Sequence, residues 1–339
     1  MAQSRSRTLR VVTADPFNAE TPLERQVGTI TPIVRHFVRS HFAVPTPPER
    51  VIVEGLVRER LSLGVDDLRA MPARSLVVTL ECAGNGRAFL DPPAPGEQWR
   101  LGAVGTAEWT GVPLREVLRH ADVLPAARDV VFRGADEGTV KDIGRRIAFE
   151  RSLSVEEALG GDALVAYAMN GEPLTREHGA PARLVVPGAY GMASVKWLAA
   201  IVAAQRPFDG FFQVDRYVVD GAPLPRVAPR AVVVSPAEGA RLRPGRLTVR
   251  GYAWSGGAPV DSVQVSLDGG ATWRDAVLAD ALSPYAWREW SLAWDPPAGA
   301  ATILARAVTS TGETQASADV RNALGYLNNA ARPVRVTIA

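Results

Sequence analysis

Leu76-Val77-Val78-Thr79-Leu80-Glu81-Cys82-Ala83-Gly84-Asn85-Gly86-Arg87 is an apolar, β-branched run that breaks into two glycines, and it carries the one cysteine of the chain. Its first half reads as a buried strand and its second half as a glycine-rich loop. Glycines at a strand end permit positive φ and let backbone N–H groups approach an anion closely, while Arg87 adds a permanent cation. Such surroundings stabilise a thiolate, and a thiolate is a nucleophile or a metal ligand. The same stretch also suits a small buried hydrophobe, the usual fate of a free cysteine. These residues alone leave both readings open.

Composition sets the frame around this centre. A chain of 339 residues with 47% hydrophobic and 22% charged content buries one large core or two smaller ones. A formal net charge of +2 is far from the clustered basic surface that nucleic-acid binding requires, so no nucleic-acid partner is expected. A single cysteine excludes an intramolecular disulfide and is compatible with a reducing compartment. No apolar run has the length of a membrane span. The basic start, Met1 to Arg7, lacks the apolar core of a signal peptide. A cytoplasmic protein is therefore expected, or a periplasmic one if a leader has been removed.

Towards the N-terminus, the first fifteen or so residues read as a loosely docked arm, with structure starting near Pro16. Between Thr31 and Pro45, apolar Ile33, Phe37, Phe42 and Val44 alternate with Arg35, His36, Arg39 and His41. That pattern fits either a solvated face with snorkelling arginines or an anion pocket. Val51 to Gly55 and Leu61 to Leu63 predict a hairpin, and Asp66 to Met71 a short helix. Towards the C-terminus, Pro113 opens a helix with Leu114, Val117, Leu118 and Ala121 on one face. Val130 to Gly134 predicts a strand, followed by Asp136, which faces a ligand or closes a turn. Ser154 caps a short helix; Asp162 to Met169 is a strand, with Asn170-Gly171 as its turn. His178, Arg183 and Lys196 then flank an apolar strand and a Gly-rich turn, three groups suited to a phosphate beside backbone that a ligand can approach. The spacing is not that of a P-loop, which excludes an ATPase or GTPase of that kind.

Between Ala222 and Arg230 the chain becomes proline-rich, which predicts a linker. Beyond it, short alternating segments run from Ala231 to Val234, Leu247 to Trp254, Val260 to Leu267, Trp290 to Trp294, Ile303 to Val308 and Val334 to Ile338, with a hairpin turn at Asp268-Gly269-Gly270. That rhythm predicts an immunoglobulin-like β-sandwich. The expected division is thus an α+β domain over 1–228 and an all-β sandwich over 229–339. Of Trp254, Trp273, Trp287, Trp290 and Trp294, some are expected in the sandwich core and others at a two-fold interface.

Eight stretches together resemble the sulfite oxidase family of molybdenum enzymes over nearly the whole chain: Phe37–His41, Cys82–Arg87, Trp109–Leu114, Tyr167–Leu174, His178–Arg183, Val186–Gly188, Ser194–Trp197 and Asn322–Asn329. The resemblance implies a molybdopterin-binding domain followed by a dimerisation domain, hence a homodimer. It implies molybdenum–molybdopterin as cofactor, with Cys82 as the metal ligand, a role that suits a soft thiolate. Phe37, Val38, Arg39, Ser40, His41, Asp136, His178, Arg183, Ser194, Val195 and Lys196 match positions that hold the pterin and its phosphate. Arg39, Arg87 and Tyr217 match groups of the substrate pocket and complete, with Cys82, the expected catalytic set.

Two departures bear on substrate. Gly86 and Leu324 stand where the family usually has further pocket arginines, so a less cationic pocket is expected. The implied activity is oxygen-atom transfer, with sulfite oxidised to sulfate; reduction of nitrate or of an S- or N-oxide, and a non-catalytic cofactor-binding protein, are the alternatives. No haem segment is seen in this chain, so a small oxyanion or oxide substrate and a separate electron acceptor such as a cytochrome c are the expected partners.

Overall fold

The computed structural model describes residues 8–339. The predicted arm at residues 1–15 falls partly outside that range, and the part within it is built into the fold. Strand Arg10–Thr13 pairs antiparallel with Asn18–Glu20, so regular structure starts ahead of Pro16.

The first domain packs two five-stranded sheets. One contains Arg74–Glu81, Val104–Pro113, Leu164–Met169 and Glu172–Pro173 in that order, with Arg183–Val185 also on Leu164–Met169. The other runs Leu61–Leu63, Val51–Gly55, Leu198–Ala204, Asp129–Val140, Arg145–Ser154, and its one parallel pair joins Val51–Gly55 to Leu198–Ala204. The predicted hairpin and short helix both form, the latter over Val65–Ala70. Helix Leu114–Ala121 follows Pro113 directly and buries Leu114, Val117, Leu118 and Ala121, the 3.6-residue stripe read from the sequence. Full burial of each larger apolar side chain contributes about 1.5–3 kcal/mol. Ser154 caps helix Val155–Gly160: its hydroxyl accepts from the Glu157 N–H while the Glu157 carboxylate accepts from the Ser154 N–H.

The second domain is a sandwich of a four-stranded sheet (Arg230–Ser235, Leu247–Trp254, Arg288–Trp294, Val277–Leu278) and a five-stranded one (Arg241–Leu242, Val334–Ile338, Gly299–Thr309, Val260–Ser266, Arg274–Asp275). Its alternating residues, Val249, Val263, Val265, Ile303, Ala305 and Val336 among them, meet between the sheets.

Two expectations are corrected where the domains meet. The proline-rich stretch is a docked strap rather than a free linker: Val227 is buried, its N–H bonds to the Gly188 carbonyl (3.0 Å), and Arg226 donates to the Pro187 carbonyl (2.7 Å). The tryptophans divide between two intramolecular sites. Trp290 and Trp294 lie in the sandwich core, whereas Trp254 and Trp287 pack into the first domain's core. Trp287 donates to Thr29 O (2.7 Å) and Trp254 to the Glu81 carboxylate (2.8 Å). Only Trp273 is partly exposed, and its ring lies under the Arg306 guanidinium. The main core therefore runs through both domains, from Val51 and Leu118 to Trp254 and Tyr326.

Candidate active site

A cavity opens at the end of strand Arg74–Glu81. Cys82 lines it, together with Phe37, Arg39, Ser40, His41, Asp136, His178, Arg183, Ser194, Lys196 and Tyr217 from the expected set. These residues come from several separate segments. Ser40 N–H donates to Asn18 Oδ1 (2.7 Å), which pins the Phe37–His41 segment to the edge hairpin. A register shift between Arg133 and Glu137 interrupts the pairing of strand Asp129–Val140 with its neighbour, and Asp136 sits in that bulge, one of its carboxylate oxygens buried and without a partner. Of the two roles open to Asp136, facing a ligand is the one its place in the cavity wall supports.

The charges around the cavity are unusual. Arg183 is fully buried and gives its guanidinium to three carbonyls, those of His178 (3.1 Å), Ser194 (2.9 Å) and Leu184 (3.3 Å), with no carboxylate beside it. Burial pulls its pKa down to about 9. Lys196 Nζ donates to Ser40 Oγ (3.0 Å) and the Glu177 carbonyl (2.8 Å); burial, then Arg183, holds it well below the ordinary lysine range. Burial likewise raises Asp136 and holds His178 well below the usual imidazole range. His178 Nδ1 meets Thr175 Oγ1 (2.8 Å), leaving its buried Nε2 unpartnered.

On the opposite wall, Arg39 Nη2 donates to His41 Nδ1 (3.0 Å), and His41 Nε2 meets the Tyr217 hydroxyl. Burial, reinforced by Arg39, holds His41 well below the usual imidazole range, and its ring links the Arg39 guanidinium to the Tyr217 hydroxyl. Tyr217 has φ 54°, a left-handed conformation rare for a side chain of that size and held here on the cavity wall. Burial pushes the Cys82 thiol up, while Arg39, the Gly84 N–H and Arg87 act to lower it.

Five expected positions are corrected. The Arg87 guanidinium does not line the cavity: it lies beneath the loop, donating to Leu324 O (2.9 and 3.1 Å) and Glu97 O (2.9 Å), with its face 5.2 Å from the Tyr326 ring centroid. Three of its N–H donors go to these two carbonyls, so it holds the loop in place. Val38 exchanges backbone bonds with Ala19 and packs with Leu9, and Val195 is buried in the main core. Each sets the direction of the neighbouring Arg39 or Lys196. Nor do Gly86 and Leu324 line the cavity. A Cβ on Gly86, at φ 92°, would fall 2.7 Å from Asn328 O, and the Leu324 side chain packs against the core.

His36 was missed as a site residue. It lines the cavity with an unpartnered buried Nε2, and burial lowers its pKa to about 4. Its signal is Gly105, where a Cβ would fall 2.7 Å from the His36 ring.

Three buried polar atoms without partners, those of His36, His178 and Asp136, face the same cavity as a buried arginine, a buried lysine and a thiol. That donor set fits a polar heterocycle carrying an anion and a soft metal. The comparisons agree. Residues 41–212 match the family model "Oxidoreductase molybdopterin binding domain", and residues 226–339 match "Mo-co oxidoreductase dimerisation domain".

The chain belongs to the sulfite oxidase family of molybdopterin oxidoreductases. It is 38% identical to sulfite oxidase of Gallus gallus over 95% of its own length and 76% of that protein. It is 37% identical to mitochondrial sulfite oxidase of Homo sapiens over 98% of its own length and 66% of that one. The sulfane dehydrogenase SoxCD of Paracoccus pantotrophus shares its structure, with TM-score 0.86 at 28% identity, covering 98% of this chain and 89% of that one. Within the family, the chain is a molybdopterin-dependent enzyme with the sulfite oxidase fold, and no helix among the described residues is long and apolar enough to cross a membrane.

Proposed function

We propose that this chain oxidises sulfite to sulfate by oxygen-atom transfer and passes the electrons to a separate acceptor such as a cytochrome c. The observation that carries the reading is the meeting of Cys82 with the buried Arg183 and Lys196 in one cavity. When bound, molybdenum–molybdopterin supplies the transferred oxygen atom and takes up two electrons. Cys82 holds the metal as a thiolate. Arg183 and Lys196 hold the anionic end of the pterin, and His36, His178 and Asp136 meet its polar edge with the atoms left unpartnered here. Arg39, fixed by His41, orients an incoming anion, and Tyr217 offers it the phenol hydroxyl. In a homodimer the second domain would supply the subunit contact.

A second reading is favoured by the position of Arg87. With its guanidinium committed beneath the loop, Arg39 remains as the cavity's anion-facing guanidinium on the substrate side, an arrangement that also suits an S- or N-oxide or nitrate as oxygen donor.

The test is sulfite-dependent reduction of ferricyanide or cytochrome c by protein made in a cofactor-competent host, with molybdenum measured alongside. About one molybdenum per chain and turnover with sulfite are expected, both lost in a folded Cys82→Ser variant, since an isosteric change at one loop residue costs little packing. Full activity of that variant would remove Cys82 from the metal. Turnover with nitrate or sulfoxides but not sulfite would favour the second reading.

A further inference from the structure

Glu81, which immediately precedes the ligand cysteine, is buried and carries three partners. Asn85 Nδ2 donates to its Oε1 (3.0 Å), Trp254 Nε1 donates to its Oε2 (2.8 Å), and Arg230 Nε forms an ion pair with Oε1 at 3.0 Å. Trp254 and Arg230 both belong to the sandwich domain. Arg230 is 3% exposed, and its Nη2 donates onward to Asn85 O (3.3 Å) and Asn328 O (2.7 Å). Asn328 Nδ2 in turn donates to Gly86 O (3.1 Å), and Leu327 N–H donates to Ala83 O (3.1 Å). Between Cys82 and Gly86, the carbonyls of Ala83, Asn85 and Gly86 are thus each met by a donor from the second domain, and those of Cys82 and Gly84 by the loop's own Asn85 and Arg87 N–H groups. A strand-end loop with two glycines would otherwise be free to open locally.

We propose that Arg230 is a positioning residue for Cys82: paired with Glu81, it makes the sandwich domain half of the mould that holds the ligand loop. The role given to Cys82 rests on the function proposed above. An association module needs only its own outer surface, whereas this domain directs a buried guanidinium inward to the backbone that carries the sulfur. Arginine is required because one planar fork reaches a carboxylate and two carbonyls at once; lysine offers a point charge without that spread.

The test measures Cys82 itself. In the full chain purified without cofactor, the rate of alkylation by iodoacetamide reports how often the loop opens. Arg230→Met should raise that rate at least tenfold, Glu81→Gln about threefold, and Arg230→Lys should recover only part of the wild-type protection. In cofactor-loaded protein, the same variants should release molybdenum on dialysis in the same order. Val263→Ala, in the sandwich core and away from the loop, serves as a control that lowers stability without touching these contacts. Wild-type alkylation in folded Arg230→Met and Glu81→Gln proteins would overturn the proposal, as would equal acceleration by Val263→Ala. If Arg230→Met does not fold, Glu81→Gln, which keeps the side-chain shape, decides alone. Alkylation is read without cofactor, so failure here is separable from a failure of the function assigned to Cys82.

Discussion

Arg230 and Arg183 are both buried and solvated by carbonyls, and of the two only Arg230 has a carboxylate beside it. Arg230, between the domains, is paired with Glu81 at 3.0 Å, while Arg183, at the cavity, is paired with none and is displaced by burial to about 9. The first joins the two domains. The second is a cation held ready in a low-dielectric wall, with the nearby orphaned atoms of His178 and His36 leaving the same region short of partners. A fold puts up with such a deficit only where something else completes it. The contrast supports the cavity as the ligand site: the guanidinium with a carboxylate beside it lies where the domains meet, and the one without lies in the cavity wall.

The contrast breaks most decisively at the arginines themselves. Truncating one partner of a buried pair leaves the other charge stranded, at about 3–5 kcal/mol. Arg230→Met should lose stability on that scale, measured by urea unfolding of the cofactor-free chain, and Glu81→Gln added to it should restore much of the loss. Arg183→Met strands no carboxylate and releases a desolvated cation, offset by the lost bonds to three carbonyls. Its net cost should be about 1–2 kcal/mol. Equal losses at the two sites would dissolve the distinction between joint and site.

Asp136 sharpens it from the acidic side. Burial raises its pKa from 3.8 to about 6, so between those values the folded chain binds more protons than the unfolded one and stability falls as pH rises. Above pH 6 the cost is fully expressed. Asp136→Asn should therefore stabilise the cofactor-free chain by about 1–3 kcal/mol at pH 8 and give no gain near pH 3. The same change should weaken cofactor retention if that carboxylate meets the ligand. A pH-independent gain would show that its charge is not what burial opposes.

Much of this was legible in the sequence. The helix stripe at Leu114, Val117, Leu118 and Ala121, the Ser154 cap and the strand rhythm after Ala231 express local periodicity, which a single chain displays directly. Cys82, His178 and Lys196 fall at the cavity because strand ends and glycine turns mark where backbone stops pairing. What sequence did not show is direction. Arg87 and Arg39 look alike as cations beside a motif, yet one turns beneath the loop to carbonyls contributed from residues 97 and 324 and the other lines the cavity. Trp254 and Trp287 read as sandwich core or subunit interface because nothing local reveals that the first domain lies against them. The proline-rich strap resembles a linker for the same reason: proline records the lack of ladder bonds, and docking depends on the distant Gly188.

The smallest effect is expected at the rim of the same domain junction, where exposure replaces burial. Asp162 accepts from Arg74 (2.9 Å) and from the hydroxyl of Tyr285 in the sandwich (2.8 Å), and its side chain is 34% exposed. The Tyr285 bond, then Arg74, holds its carboxyl below the usual range. A depressed folded-state pKa contributes stability above the unfolded value and loses it as pH falls through the folded one, so the contribution is complete at pH 7 and gone in strong acid. Water and salt screen an exposed pair, which limits Asp162→Asn to about 0.5–1 kcal/mol at pH 7. Raising the salt concentration to 1 M should shrink the difference further, whereas the Arg230→Met loss should hardly change because Arg230 and Glu81 are out of reach of ions. A salt-insensitive Asp162→Asn effect as large as that of Arg230→Met would mean that the rim, and not the buried pair beside Cys82, holds the two domains together.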